Sequence, residues 1–461
     1  MLFENIKKYS ISDPGKVALA DDKRVINYKQ LYQRLKNNQK LLQMYGYTTG
    51  TKVILKVQRQ LDFVIAILSL FSVECWVIPV PNGITPRELQ KVIDLTKAEI
   101  FLNHLLEDQR CLDIDGSDDF KKPAGCKTGI YHLTSGTTGI PKLCIRTLDC
   151  LIYEGQSFKR TFSISSDDKI LSASPLYHSY ALGAALITAF VSGGCLYTIN
   201  NFIPRKVLKI VQANLITILI FVPIMAKALC NTRTEQVFNL SSLRIALVGA
   251  GAITKELYDN FFRRYGIALL SNYGSTETGG IISRLDPLPY TSIGRPMDGV
   301  KIKLCNDKGE RIAPGVVGEI FVKSKGMLKG YYVDEKLSLD KQGFFATGDL
   351  AVQDKDNYLY IKGRKKILIN IAGKKVNPLE VEEVLLSFPG VKECIVVGST
   401  KKNGEECVKA VIVAQGIKEN EIRRFCVNKL SEYKIPSIIE FRQSIPRNNL
   451  GKVKREELMK G

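Results

Sequence analysis

The sequence predicts an α/β protein: a large N-terminal domain of βα units built on mixed, largely parallel sheets, followed by a small α+β C-terminal domain. Three observations carry this expectation. Up to about residue 360, short β-rich runs alternate with longer stretches of helical period, the pattern that parallel βα units leave in a sequence. With 461 residues and 45% apolar content, the chain is long enough to bury more than one core. The basic, glycine-containing run Lys362-Gly363-Arg364-Lys365-Lys366 then interrupts the alternation and is taken as a junction, so that domains are expected over residues 1–365 and 366–461.

The elements follow in order. Thr51 to Lys56 reads as a core strand. Phe63 to Val80 approaches the ~20 apolar residues of a membrane span. Glu74 interrupts it and Pro79 and Pro81 end it, so a buried helix followed by a short core strand is expected and no transmembrane segment. Thr85 to Leu95 and Lys255 to Tyr265 have helical period, while Ile216 to Val222 and Leu243 to Val248 read as strands. Beyond the junction, Asn377-Pro378-Leu379-Glu380 supplies a helix start, with Asn as cap, Pro in the first position and Glu in the third. Cys394 to Val397 and Val408 to Val413 are the strands expected after it. No internal repeat or low-complexity segment is present.

Composition narrows the function classes. Met1 to Ser10 carries Glu4, Lys7 and Lys8 and has no continuous apolar stretch, so it does not read as a secretory signal and a cytoplasmic location is expected. Eleven cysteines with no C-x-x-C pair argue against a disulfide framework or a zinc knuckle and fit a reducing compartment. Three scattered histidines, His104, His132 and His178, do not form a clustered imidazole site in sequence. The net charge of +20 asks for an anionic partner: a phosphate-rich cofactor, an acidic carrier protein, nucleic acid or an anionic membrane. Lysines are spread along the chain instead of gathered in one basic arm, which weakens the nucleic-acid alternative, and no nucleic acid is expected.

The most informative segment is Leu133-Thr134-Ser135-Gly136-Thr137-Thr138-Gly139-Ile140-Pro141-Lys142. Glycines let backbone N–H groups approach an anion closely, hydroxyls donate further bonds and a lysine adds a point charge, so this reads as a phosphate-cradling loop. It is not a Walker A loop, because G-x-x-x-x-G-K-[ST] is absent. Val248-Gly249-Ala250-Gly251-Ala252 ends an apolar strand, but Thr254 stands where a dinucleotide loop needs its third glycine. Read alone it is a tight strand-to-helix turn or a nucleotide wall.

Further segments follow in order: Asn272-Tyr273-Gly274-Ser275-Thr276-Glu277-Thr278, Phe345-Ala346-Thr347-Gly348-Asp349-Leu350, Gly363-Arg364, and Pro446 to Arg455 with its P-x-x-x-x-G-K-x-x-R spacing. Together with the T-S-G-T-T-G-x-P-K string they resemble the adenylate-forming superfamily of acyl-CoA synthetases, coumarate-CoA ligases, firefly luciferase and peptide-synthetase adenylation domains. The ordered set spans essentially the whole chain. The resemblance implies a small domain that is mobile and a chain that uses ATP and Mg²⁺. It implies that residues 134–139 and Lys142 cradle phosphate, with Thr134 and Lys142 also catalytic. Gly249, Ala250 and Gly251 line adenine, Asn272 and Tyr273 to Ser275 continue that wall, and the Tyr273 ring packs on the base. Thr276 meets the α-phosphate, Glu277 holds Mg²⁺, and Asp349 and Arg364 take the ribose. Lys452 is the catalytic lysine and Lys366 the hinge. Gly373, in Ile371 to Pro378, keeps a thiol tunnel open. One departure is Asn370, where many relatives have lysine, which puts a charge contact of the thioester-forming conformation in doubt.

Pro175-Leu176-Tyr177-His178-Ser179-Tyr180 resembles the P-L-x-H segment of acyl- and aryl-CoA ligases, in which His178 would gate the acyl pocket. No Asp is present there to bind an α-ammonium, so a fatty or aromatic carboxylic acid is expected in place of an amino acid. The implied reaction is activation of the acid to acyl-AMP with release of pyrophosphate, then transfer to the thiol of CoA. The phosphopantetheine of an acidic acyl carrier protein is the open alternative to CoA. From other classes, a luciferase-like oxidase or a basic protein that binds nucleic acid or an anionic surface also stays open.

Overall fold

The computed structural model describes residues 1–98, 100–102, 112–113, 127–134, 142–233, 237–287, 289–332, 337, 339–371, 374–400, 406–427, 429–447 and 453–459. The chain divides into two compact units, Met1–Lys301 with Val322–Phe345, and Ile302–Phe321 with Ala346–Gly461.

In the first unit, one sheet has nine strands among the described residues, in the order Arg295–Pro296, Gly279–Ser283, Leu269–Ser275, Ile245–Gly249, Ile218–Phe221, Lys169–Ser172, Cys195–Thr198, Val17–Ala20 and Val25–Asn27. The run from Leu269–Ser275 to Val17–Ala20 is parallel and the outer strands are antiparallel. Strands buried on both faces need continuous apolar runs, and Ile218–Phe221 and Ile245–Gly249 supply them. Helices Pro204–Asn214, Pro223–Cys230 and Lys255–Tyr265 cover one face, placing Val207, Val211, Ala226, Leu229 and Phe261 against Leu171, Leu219, Phe221, Ala246 and Val248.

The second sheet of that unit has seven strands among the described residues, with Trp76–Pro79 and Lys52–Leu55 at its centre. Trp76 is fully buried and stacks on Tyr131, ring centroids 4.9 Å apart, and both belong to the apolar cluster of Ile54, Ile78, Val92 and Leu143. The apolar stretch Phe63 to Val80 divides as expected into a helix, Gln60–Ser72, buried from Gln60 to Phe71, and the core strand Trp76–Pro79. Glu74 makes the break with φ of 62°, left-handed backbone that a helix cannot continue through. Among the described residues no helix is long and apolar enough to cross a membrane.

The second unit holds a four-stranded sheet of Lys301–Cys305, Gly318–Lys323, Phe345–Gln353 and Leu359–Arg364, and a three-stranded sheet of Val391–Thr400, Glu406–Ala414 and Ile438–Phe441. Helices Pro378–Leu386 and Glu419–Val427 bury Val381, Leu385, Ile422 and Cys426 against Val396, Val408, Ala410 and Ile412. Asn377 caps the first helix, its Oδ1 accepting from Leu379 N at 3.1 Å. Glu380 does not complete a capping box, because Lys434 takes its carboxylate at 2.6 Å. The basic run Lys362 to Lys366 lies inside this unit. Its first three residues end the strand Leu359–Arg364, and Lys365 and Lys366 enter the 3₁₀ turn Lys365–Ile367.

Candidate active site

The phosphate-loop segment lies between two paired strands. Strands Gly129–Thr134 and Lys142–Thr147 pair antiparallel with Thr134 opposite Lys142, so the first hydroxyl residue and the lysine of the signature stand at the two feet of one loop. Ser135, Gly136, Thr137, Thr138 and Gly139 lie outside the described residues, as do the side chains of Thr134 and Lys142.

The Tyr273 to Thr278 segment is a strand end and a tight turn. Leu269–Ser275 runs parallel to Ile245–Gly249, then reverses into Gly279–Ser283 with a bulge between Tyr273 and Gly274. Ser275 N donates to Thr278 Oγ1 at 3.0 Å, which closes the turn and leaves Thr276 and Glu277 at its half-exposed tip. Gly274 is required by close approach, since a Cβ there would stand 2.0 Å from Gly279 O. Asn272 faces inward: it is buried, and its amide donates to Ile282 O at 3.3 Å.

Two further segments meet this turn. Ser179 Oγ lies 3.5 Å from Thr276 Oγ1, which brings the Pro175 to Tyr180 segment to the turn's tip. The Tyr180 hydroxyl donates to Leu247 O at 2.8 Å, and its ring lies so close to Gly249 that a Cβ there would meet it at 2.5 Å. Beyond Gly249, Ala250 has φ of 59°, a strained setting for a non-glycine residue, and it is exposed together with Gly251. Thr254, the residue that breaks the dinucleotide fingerprint, caps helix Lys255–Tyr265 by accepting from Leu257 N at 3.2 Å. The structure thus brings Gly249, Thr276 and the His178 segment into one neighbourhood.

His178 has its Nε2 buried without a hydrogen-bond partner, and its ring packs on Tyr177 with centroids 4.2 Å apart. Burial depresses its pKa to about 4, so the imidazole is neutral at physiological pH. Sequence reasoning assigned no role to His132, whose ring nitrogens are both buried and unpartnered. Burial foremost, then the charges of Arg146 and His178, lower its pKa to about 3. The available signal was its place two residues before Thr134 on one strand, which puts both on the same face.

In the second unit, Asp349 and Arg364 are direct neighbours. They are register partners of strands Phe345–Gln353 and Leu359–Arg364, and the guanidinium Nε stands 3.3 Å from the Asp349 carboxylate. Thr347 Oγ1 accepts from Asp349 N at 3.1 Å, and Gly348, with φ of 78°, supplies the left-handed step that precedes it. Lys366 is exposed, while Lys365 pairs with Glu319 and Asp307 at 2.8 and 3.0 Å. Gly373 and Lys452 lie outside the described residues. Arg455, the last residue of the C-terminal signature, is structural: it pairs with the buried Glu382 at 2.8 Å and donates to Val396 O.

A hard cation such as Mg²⁺ takes oxygen ligands and, beside a nucleotide, draws most of them from phosphate and water. The Glu277 carboxylate, on the same turn as Thr276, fits a cation held chiefly by phosphate oxygens, and among the described residues no group of three or more His, Cys, Asp or Glu side chains forms a cage for one.

The sequence matches the AMP-binding enzyme family over residues 8–332 and the AMP-binding enzyme C-terminal domain over residues 380–452. A feruloyl-CoA synthase of an Amycolatopsis species is 31% identical over 360 residues, covering 75% of this chain and 73% of that one. A 2-succinylbenzoate–CoA ligase of Bacillus licheniformis is 28% identical across 98% of both chains. The crystal structure of ATP-bound MatB from Rhodopseudomonas palustris superposes with a TM-score of 0.87 at 24% identity, covering 99% of this chain and 98% of that one.

Proposed function

Because the chain belongs to the family of AMP-binding enzymes, we propose that it activates a carboxylic acid with ATP to an acyl-adenylate, releasing pyrophosphate, and then transfers the acyl group to the thiol of CoA. The observation that supports the proposal most is the meeting of Thr276, Ser179 and the Tyr180–Gly249 contact, which brings the turn read as facing phosphate to the segment read as facing the acyl chain.

A carboxylate is a poor acyl donor because its leaving group would be oxide. In the first half-reaction a carboxylate oxygen bonds to the α-phosphorus while the bond from that phosphorus to the bridging oxygen of pyrophosphate breaks. Both reactants are anions, so positive groups have to offset their repulsion. Lys142 and Lys452 are the proposed side-chain cations, and residues 134–139 supply hydroxyl and amide donors to phosphate. A bound Mg²⁺ supplies Lewis-acid charge at the phosphate oxygens. Glu277 would hold it, and Thr276 would orient the α-phosphate. Asp349 accepts from ribose hydroxyls, an acceptor role that Arg364 beside it cannot fill but can orient. In the second half-reaction the thiolate attacks the acyl carbonyl and AMP leaves. Lys366 is the proposed pivot between the two half-reactions.

A fatty or aromatic acid is the proposed substrate class. His178 is neutral at physiological pH and so suits an uncharged acyl body, and residues 175–180 contain no carboxylate to hold an ammonium. CoA as the thiol is supported by the relatives named for CoA ligation. Pyrophosphate release screened over aromatic and fatty acids, with CoA, with carrier protein and with neither, tests both points. Turnover that needs acid and yields thioester only with CoA supports the proposal. Salt-sensitive binding of nucleic acid with no acid-dependent pyrophosphate would overturn it.

A further inference from the structure

Charges taken out of water into a protein interior need close partners and full hydrogen bonding. One buried ion pair lies in the first unit, next to the strand that leaves the Thr276–Glu277 turn. The side chains of Arg146, on strand Lys142–Thr147, and Glu154, on helix Leu148–Thr161, are 0% and 2% exposed and 2.7 Å apart. Arg146 donates through Nε and Nη2 to Gly326 O at 3.2 and 2.7 Å, while its Nη1 is buried without a hydrogen-bond partner. The second carboxylate oxygen of Glu154 accepts from Gly280 N at 2.8 Å. Two glycines make room for that carboxylate, since a Cβ on Gly183 would come within 2.4 Å of it and one on Gly279 within 2.7 Å.

The ties converge on one turn. Gly280 is the second residue of the strand that leaves Thr278, and Leu328, two residues past Gly326, donates its N–H to Glu277 O at 2.8 Å. An apolar pair would fill the same volume without the desolvation cost of two charges, so burial alone does not require Arg146 and Glu154. What the pair alone supplies is a directed acceptor for Gly280 N–H and directed donors for Gly326 O. Both anchors flank Thr276 and Glu277.

We propose that the Arg146–Glu154 pair is a positioning device that holds the Thr276–Gly280 turn in the pose in which Thr276 and Glu277 meet the α-phosphate and its cation. It rests on the reading of Glu277 as the cation-side carboxylate. Neither Arg146 nor Glu154 touches substrate in this scheme; each acts through the backbone of the turn.

Two double variants test it in the full-length protein. Arg146→Met with Glu154→Leu removes both charges and the acceptor, whereas Arg146→Met with Glu154→Gln removes the charges and keeps an oxygen that Gly280 N–H can reach. Amide hydrogen exchange at Gly280 is read without nucleotide, and MgATP binding is measured by calorimetry over a range of Mg²⁺ concentrations. The Leu variant is expected to exchange faster at Gly280 and to bind MgATP roughly 10- to 100-fold more weakly, the usual loss when an outer support of a metal site is removed. The Gln variant is expected to recover most of both. Unchanged exchange and affinity in the Leu variant, or equal losses in the two variants, would overturn the proposal. If the Leu variant does not fold, Glu154→Asp decides, because it keeps the charge but withdraws the carboxylate from Gly280. Wild-type exchange and MgATP affinity in that variant would again overturn it, and losses in both would support it. Glu277→Gln separates the two levels: if it binds MgATP like the wild type, the cation assignment fails, while the exchange data still judge the tie between Glu154 and the turn.

Discussion

Gly249→Ala is a one-methyl perturbation whose consequence can be worked out from the fold. The added Cβ would stand 2.5 Å from the Tyr180 ring, where carbon atoms ordinarily keep about 3.5 to 4 Å. The ring must therefore move by about an ångström. Displacement would break the 2.8 Å bond from its hydroxyl to Leu247 O. Overpacking typically costs about 1 to 3 kcal/mol and a lost hydrogen bond about 1 kcal/mol, so a loss of roughly 2 to 4 kcal/mol is expected. Because Tyr180 follows His178 and Ser179, and Gly249 itself is assigned to the adenine wall, both the acid profile and KM for ATP should shift. The assay is urea unfolding joined to pyrophosphate release with several acids. Gly249→Ala combined with Tyr180→Ala should be more stable than the sum of the single losses, with a coupling of about 0.5 to 3 kcal/mol. Additive losses, or an unshifted acid profile in the single variant, would refute the contact's importance.

Other expectations follow from the same residues. Glu277→Gln should weaken Mg²⁺-dependent pyrophosphate release, and Asp349→Ala should raise KM for ATP with little change in unfolding, since its pairing with the half-exposed Arg364 is of the kind worth ~0 to 1 kcal/mol. Wild-type kinetics in both would remove the nucleotide assignment. His132 and His178 have folded-state pKa values of about 3 and about 4, below the ordinary 6.5, because burial disfavours the charged ring. The unfolded chain therefore binds protons that the folded chain refuses, so stability present above pH 6.5 is lost as pH falls from there through about 4 and about 3. His132→Phe should flatten the urea midpoint against pH in that window, and an unchanged slope would contradict the buried neutral ring. Lys452→Ala should nearly abolish adenylate formation, by ~10² to 10³ in rate, yet use supplied acyl-adenylate and CoA at close to the wild-type rate. Lys366→Pro should do the reverse, and equal losses in both half-reactions would remove the separate roles.

The legible parts of this molecule were local. Lys255–Tyr265 carries its own period and cap, and the division of Phe63 to Val80 at Glu74 follows from one charged residue and two prolines. Asp349 and Arg364 were named separately, and only strand register shows them side by side. The basic run Lys362 to Lys366 is read as a junction from its charges and glycine, and its tie to Asn377, whose amide donates to Lys362 O and whose side chain packs against Gly363, is not visible in them. Arg146 with Glu154, Tyr180 against Gly249 and the unpartnered His132 left no trace in periodicity. Each depends on which face of a strand meets which helix, and that packing is set at long range.

The central claim, that the acid is activated as an acyl-adenylate, is tested most directly by oxygen transfer. An acid from the panel that turns over is supplied with both carboxylate oxygens as ¹⁸O, together with ATP, Mg²⁺ and CoA, and the products are weighed by mass spectrometry. Attack of the carboxylate on the α-phosphorus leaves one of its oxygens on that phosphorus when the thiol displaces AMP. The expected products are AMP carrying one ¹⁸O, unlabelled pyrophosphate, and a thioester retaining the other ¹⁸O. ADP together with ¹⁸O-labelled inorganic phosphate would mean attack at the γ-phosphorus, and unlabelled AMP would mean that no oxygen of the acid reached the α-phosphorus. Either result would contradict the assignment of Thr276, Glu277 and Lys452 to the α-phosphate.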